Sequence, residues 1–217
     1  MAGKMKKRKE SHLINDLVIV VAIGFFGFFL WYSSTSGGRA ATKQRTPKMT
    51  LEAFIAQYRK VKADLFRPDL ATPSGKIPEQ ISEINPKDGW KGLEHFFKDE
   101  DLLWLRDNTN MISLAWALQN RIPVDEWKKR TVWERHIMAR QAMFEGAPSS
   151  DFTAQPLKEP DKQGTQEMQI SVTGGASLNI VFAKQGGAWR IIDFFGNRGR
   201  YQANAKAILA QMPPNMR

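Results

Sequence analysis

Two hundred and seventeen residues, 42% of them hydrophobic and 25% charged, have the balance of a globular chain and exclude disorder throughout. Thirty-two Lys and Arg against 22 Asp and Glu leave a net charge of +10, most of it outside the first 32 residues. The absence of cysteine excludes disulfides, thiolate zinc sites, iron–sulfur clusters and a cysteine nucleophile, and three histidines leave little for metal chemistry.

The chain opens with a basic stub, residues 1–12, in which Lys4, Lys6, Lys7, Arg8 and Lys9 are crowded together. Residues 17–32, LVIVVAIGFFGFFLWY, are an uninterrupted apolar run. Counted from Leu13, the segment 13–32 is about 30 Å long as a helix, the thickness of a hydrocarbon core. The first basic residue after it is Arg39, so the charge asymmetry places the N-terminus in the cytoplasm and the rest outside, with Trp31 and Tyr32 at the outer interface. A cleaved signal peptide is the rival, with Ser34, Thr35 and Ser36 as small residues for a peptidase. The length of the run and its bulky aromatic end favour an uncleaved anchor. Gly24 and Gly27 are three apart, not four as in the usual helix-pairing motif, and read as glycines tolerated in a lipid-facing helix.

Residues 33–49 hold no apolar side chain larger than alanine before Met49 and read as a flexible linker. Residues 50–217 then make an α+β domain outside the membrane. Thr50 is expected to cap an amphipathic helix to about Phe66, with Leu51, Phe54, Ile55, Tyr58, Val61 and Leu65 on one face. Pro68, Pro73, Pro78 and Pro86 make 67–86 a loop. Trp90, Leu93, Phe96 and Phe97 fall on one side of 88–97, and LLWL at 102–105 fits helix or strand. Thr109 or Asn110 caps a helix that stops at Pro123. Asp125 caps another to Glu145, with Trp127, Trp133, Ile137, Met138 and Phe144 inward.

After Pro148 the period changes to two. Met168, Ile170 and Val172 alternate with polar residues, as do Leu178, Ile180 and Phe182. Parity excludes a two-residue turn at Gly174-Gly175. A three-residue loop centred on Gly174 puts Ile170 opposite Leu178 and Met168 opposite Ile180. A loop within Lys184–Gly187 puts Phe182 opposite Trp189, Ile180 opposite Ile191 and Leu178 opposite Asp193. The strand AWRIIDFF is apolar on both faces, and a last helix carrying Tyr201, Ala205, Ile208, Leu209 and Met212 is the candidate to cover the second.

No metal motif and no cofactor is indicated. Glu134 and His136 are two apart and face differently on a helix, and His95 beside aromatics reads as a boundary side chain and not a base. Asp193, an acid on the inward side of an apolar strand, admits a functional reading through a burial-raised pKa. A bond to a backbone amide or an arginine is the favoured structural one. Arg198 and Arg200, set among glycines before the last helix, read as an anion or partner contact or as a solvated turn. Lys128, Lys129, Arg130, Arg135 and Arg140 read as a solvated basic face. Trp127 and Trp133 sit at core spacing, so no nucleic acid is expected, and acidic lipid headgroups are the likelier counter-charge.

Helices followed by a meander, and the strand Gly187-Ala188-Trp189-Arg190-Ile191-Ile192-Asp193, resemble the nuclear-transport-factor-2-like superfamily. Its last strands often read glycine, Trp, basic, apolar, apolar, Asp. The four helices before a short sheet and the helix after the Trp strand depart from its pattern. Anchor, linker and domain in that order resemble the inner-membrane scaffold subunits of type IV secretion systems within that superfamily. The same strand with its glycine loop and tyrosine-led helix is also similar to periplasmic phospholipid-shuttling proteins of Gram-negative bacteria. Neither resemblance implies a catalytic residue. The first implies a scaffold or accessory subunit whose partners are other subunits of a membrane complex and membrane lipids, with homo-oligomerisation left open. The second implies a lipid ligand. Apart from either, a cone of helices over the sheet could enclose Tyr58, Trp104, Trp116 and Asp193, a pocket for an apolar ligand first and acid–base work second.

Overall fold

A computed structural model describes residues 46–68, 76–162, 164–172 and 177–216, all within one compact unit, Gln44–Arg217. The expected stub and membrane segment, and most of the expected linker, lie outside the described residues. Among the described residues no helix is long and apolar enough to cross a membrane.

The first helix, α1 (Pro47–Leu65), starts three residues before the expected cap. Thr46 is the N-cap, its hydroxyl accepting from the Met49 amide at 3.2 Å, and Pro47 takes the first turn, where its missing N–H costs nothing. Thr50 is instead buried, and its hydroxyl donates to the Thr46 carbonyl at 3.2 Å. The stripe Leu51, Phe54, Ile55, Tyr58 and Leu65 is buried as its spacing requires.

Residues 88–97 keep their apolar side chains inward but form turns, not an α-helix, with a 3₁₀ turn only at Glu94–Phe96. Gly89, Lys91 and Gly92 have φ of 71°, 54° and 86°, which a right-handed helix forbids. The ambiguous LLWL segment is helical, within α2 (Asp99–Asp107), and α3 (Thr109–Gln119) follows after one residue. The single helix expected from Asp125 to Glu145 is two. These are α4 (Val124–Lys128) and α5 (Val132–Met143), the second opened by a reciprocal capping box between Thr131 and Glu134.

Four strands, β1 (Phe152–Pro156), β2 (Thr165–Val172), β3 (Ser177–Gln185) and β4 (Ala188–Ile191), form an antiparallel meander in sequence order. The β2–β3 register pairs Ile170 with Leu178 and Met168 with Ile180, as parity demanded. β1 was not expected. It is a short edge strand ending in Pro156, where a missing N–H is tolerated. The β3–β4 register keeps the expected faces but is displaced by two residues, with Phe182 opposite Ile191 and Lys184 opposite Trp189. The cause is the turn. Gly186 and Gly187, φ 60° and 82°, form its two centre residues, a pair of positive angles that two-residue hairpins favour and glycine supplies without strain.

β4 ends at Ile191, so Asp193 is not a strand residue and does not face Leu178. Asp193, Phe194, Phe195 and Gly196 have φ of 60°, 44°, 62° and 86°, a left-handed turn that reverses the chain. The free edge of β4 is closed by a parallel bridge between Phe97 and Ile191. The expected last helix is also two, α6 (Asn197–Ala203) and α7 (Ala205–Gln211). α7 packs on α3 and leaves α1 and the Glu94–Phe96 turn to pack on β4. Tyr201, Ile208 and Met212 are buried, whereas Leu209 is exposed.

Candidate functional site

The interior that a ligand would need is occupied. The Phe54 ring lies 5.5 Å from Tyr58, 5.7 Å from Phe96, 5.8 Å from Phe97 and 5.3 Å from Phe195. Phe144 lies tilted against Tyr58 at 5.2 Å, and Phe194 lies 4.9 Å from Phe97. Offset and edge contacts at these distances are those of a packed aromatic core.

The four residues expected to share a pocket are distributed over three places in the fold. Tyr58 is 4% exposed inside this core, and burial raises its pKa. Trp116 borders a separate groove of about 210 Å³ with Phe66, Ile122, Ile137 and Met138. Trp104 and Asp193 do come together, through Arg198. The Arg198 guanidinium sits 5.2 Å from the Trp104 ring and bonds Asp101 at 2.6 Å, with Glu100 at 3.5 Å. Asp101, on α2 and almost fully buried, accepts from the Asp193 amide at 3.0 Å through its other oxygen. The Asp193 carboxylate in turn accepts from the Gly199 amide at 2.9 Å. Burial raises the Asp193 pKa and the Gly199 amide opposes it, with Asp101 pushing the same way as burial and Arg198 the opposite way. The arrangement pins a left-handed turn to α2. Asp193 takes the backbone-bonded role favoured on chemical grounds.

Arg198 and Arg200 are both internally paired, the second with Glu145. Neither guanidinium is free to carry an anion site. Tyr201 beside them donates to Gln119 at 3.2 Å, and burial with help from Glu145 pushes its pKa up to about 12.

The basic face expected around α5 is a correction of larger consequence. Lys128 and Arg130 are solvated and pair with Asp125 and Glu126. Arg135 and Arg140 are buried. Arg140 is fully enclosed, donating to the carbonyls of Asp88 and Gly89 at 2.8 Å each, with its guanidinium 4.7 Å from the Trp90 ring and 5.8 Å from Trp133. No carboxylate lies within ion-pair distance of it among the described residues. Burial lowers its pKa to about 9, against the fields of Asp88 and Glu94. The signal was present in the sequence, because Arg140 falls on the inward stripe Trp133, Ile137, Phe144 at helical spacing.

His136, one turn before Arg140, is also buried, its Nδ1 2.9 Å from the Thr109 hydroxyl and its Nε2 without a partner. Burial first, and Arg140 second, hold its pKa well below the usual value, and burial lowers that of half-buried His95 as well. The unfolded chain therefore binds more protons than the folded one just below about pH 6.5, so stability present above that pH is lost as pH falls. Urea unfolding of the full chain between about pH 7 and pH 5.5 is expected to show the midpoint dropping. His136→Asn should flatten that slope. A native profile that is already flat would contradict the buried neutral imidazole.

Among the described residues no cluster of three His, Asp or Glu side chains could hold a metal ion. Comparison with protein-family models, with curated proteins and with solved structures yields no match to this chain.

Proposed function

We propose that the chain is a single-pass inner-membrane protein whose domain outside the membrane works by binding, as a scaffold or accessory subunit of a membrane protein complex. The observation that most supports a scaffold over an apolar-ligand carrier is the filled interior, where aromatic rings from α1, the 88–97 turns, the end of α5 and the left-handed turn occupy the space a lipid would need. The sequence supplies the anchoring half of the reading through its apolar run and basic stub. The reading also draws on the resemblance of the sequence to nuclear-transport-factor-2-like scaffolds. A tethered domain gains effective concentration at a membrane assembly, so even a weak surface contact would suffice.

Single cysteines placed at Ser36 and at Lys6 of the full chain, exposed to an impermeant thiol reagent in intact bacteria, test the topology. Reaction at position 36 and not at position 6 is expected, and the reverse pattern would overturn it. Cross-linking in membranes followed by purification in mild detergent tests the scaffold. Reproducible cross-links to a small set of membrane proteins are expected. Stoichiometric lipid with no protein cross-link would transfer the assignment to a lipid carrier.

A further inference from the structure

The buried guanidinium of Arg140 forms part of the wall of a cleft of about 390 Å³ between the Asp88–Gly92 turns, the end of α1 and α5. The cleft's cations are Arg67, Lys87, Lys91 and Arg140, against the carboxylates of Asp64 and Glu94. Lys87 is shared with Asp99 at 2.7 Å, whereas Lys91 is exposed and has no ion pair among the described residues. Trp90, Trp133, Leu65 and Ile137 give the same cleft an apolar wall. We propose that this cleft is a binding site for a small organic anion, a carboxylate or phosphate ester carried on a flat apolar body.

Three features carry the proposal. First, Arg140 is completely buried, bonded to two carbonyls and faced by two indoles, with Asp88 and Glu94 acting on it only from beyond ion-pair distance, while its Nε and the indole N–H of Trp133 have no partner among the described residues. A buried cation lacking a carboxylate projects its field through low-dielectric surroundings toward the open side, and an anion there offsets its desolvation. Second, the backbone alternates in hand over Gly89–Lys91, with Gly89 and Lys91 at positive φ and Trp90 between them not, before Gly92, also at positive φ, ends the alternation. Alternation of this kind directs successive amides toward one side, as in anion-binding nests. A side chain at Gly89 would be strained there, since φ is 71° and a Cβ would press on Arg140 at 3.2 Å and Trp133 at 3.3 Å. Third, the volume lies in the range of small-molecule sites, and its wall mixes indoles with convergent cations as such sites do. The cleft belongs to this domain alone, wherever the chain sits and whatever it assembles with.

Calorimetric titration of the full chain, solubilised in a non-ionic detergent, tests it with indole-3-acetate, its neutral analogue indole-3-acetamide, and inorganic phosphate. The acetate is expected to bind saturably, and the amide at least about tenfold more weakly, because only the former meets the cationic wall. Lys91→Glu, at an exposed position that leaves melting unchanged, should weaken the acetate at least about fivefold, while Lys158→Glu on the far strand connection should not. Saturable phosphate binding weakened by the same variant would support the site and assign it to phosphate. Equal binding of acid and amide, indifference to Lys91→Glu, equal weakening by Lys158→Glu, or no saturable binding of either anion up to about 10 mM would each overturn the proposal.

Discussion

Phe54→Ala is expected to lower the stability of the domain by about 3–5 kcal/mol, enough to leave many domains of this size unfolded at growth temperature. The residue is fully buried at the centre of α1, and its ring meets Tyr58, Phe96, Phe97, Phe144 and Phe195. Truncation loses the transfer free energy of the ring and leaves a cavity bordered by other rings, which are too rigid to collapse into it. Phe54→Leu retains part of the volume and should cost about half as much. Denaturant unfolding of both variants measures the difference. A loss below about 1 kcal/mol for Phe54→Ala would mean that the interior is loosely filled, and would reopen it to an apolar ligand.

The inward stripe of α1 and the β2–β3 register were legible because each rests on a single periodicity. Shifting Ile170 or Met168 by one residue would turn it to the opposite face, so parity excluded the two-residue turn and the three-residue loop read at Gly174 chose the pairing. The β3–β4 register was missed by two residues although the faces were right. Parity cannot distinguish registers that differ by two, and only the φ demands of the turn at Gly186-Gly187 select one. Two helix starts were legible and misread. Thr46-Pro47 and Thr131-x-x-Glu134 are both start signals, but Thr50 and Asp125 stood closer to the apolar stripes that follow.

The candidate site was harder to read for a different reason. A cation is assigned to the surface on average, and Arg135 and Arg140 follow the exposed Lys128-Lys129-Arg130 run so closely that charge outweighed position. What buries Arg140, besides Trp133 two turns earlier on its own helix, is the carbonyls of Asp88 and Gly89 and the Trp90 indole, brought from a segment with no local sequence signature for it. The left-handed turn at 193–196 is equally non-local. Nothing in Asp-Phe-Phe-Gly predicts three non-glycine residues at positive φ, a conformation that costs roughly 1–3 kcal/mol at each residue and persists only where surrounding contacts hold it.

Those contacts make the second large effect. Asp101→Ala is expected to destabilise the domain by about 3 kcal/mol, at the lower end of the range for breaking a buried pair because Arg198 remains partly solvated. One carboxylate joins two elements, taking the Arg198 guanidinium on one oxygen and the Asp193 amide on the other. Its removal leaves a half-buried cation over Trp104 and an orphaned N–H at the first residue of the left-handed turn. The turn is then held chiefly by Phe194, fully buried against Trp90 and Phe97. Removing the cation as well, in Asp101→Ala with Arg198→Met, should recover part of the loss, since a methionine can cover the Trp104 ring without an unpaired charge, and a coupling of about 1–3 kcal/mol between the sites is expected. Asp193→Asn keeps an oxygen for the Gly199 amide and should cost far less than Asp101→Ala. Additive losses at Asp101 and Arg198 in denaturant unfolding would show that the pair does not hold the turn. A larger loss at Asp193 than at Asp101 would place the anchor in the wrong carboxylate.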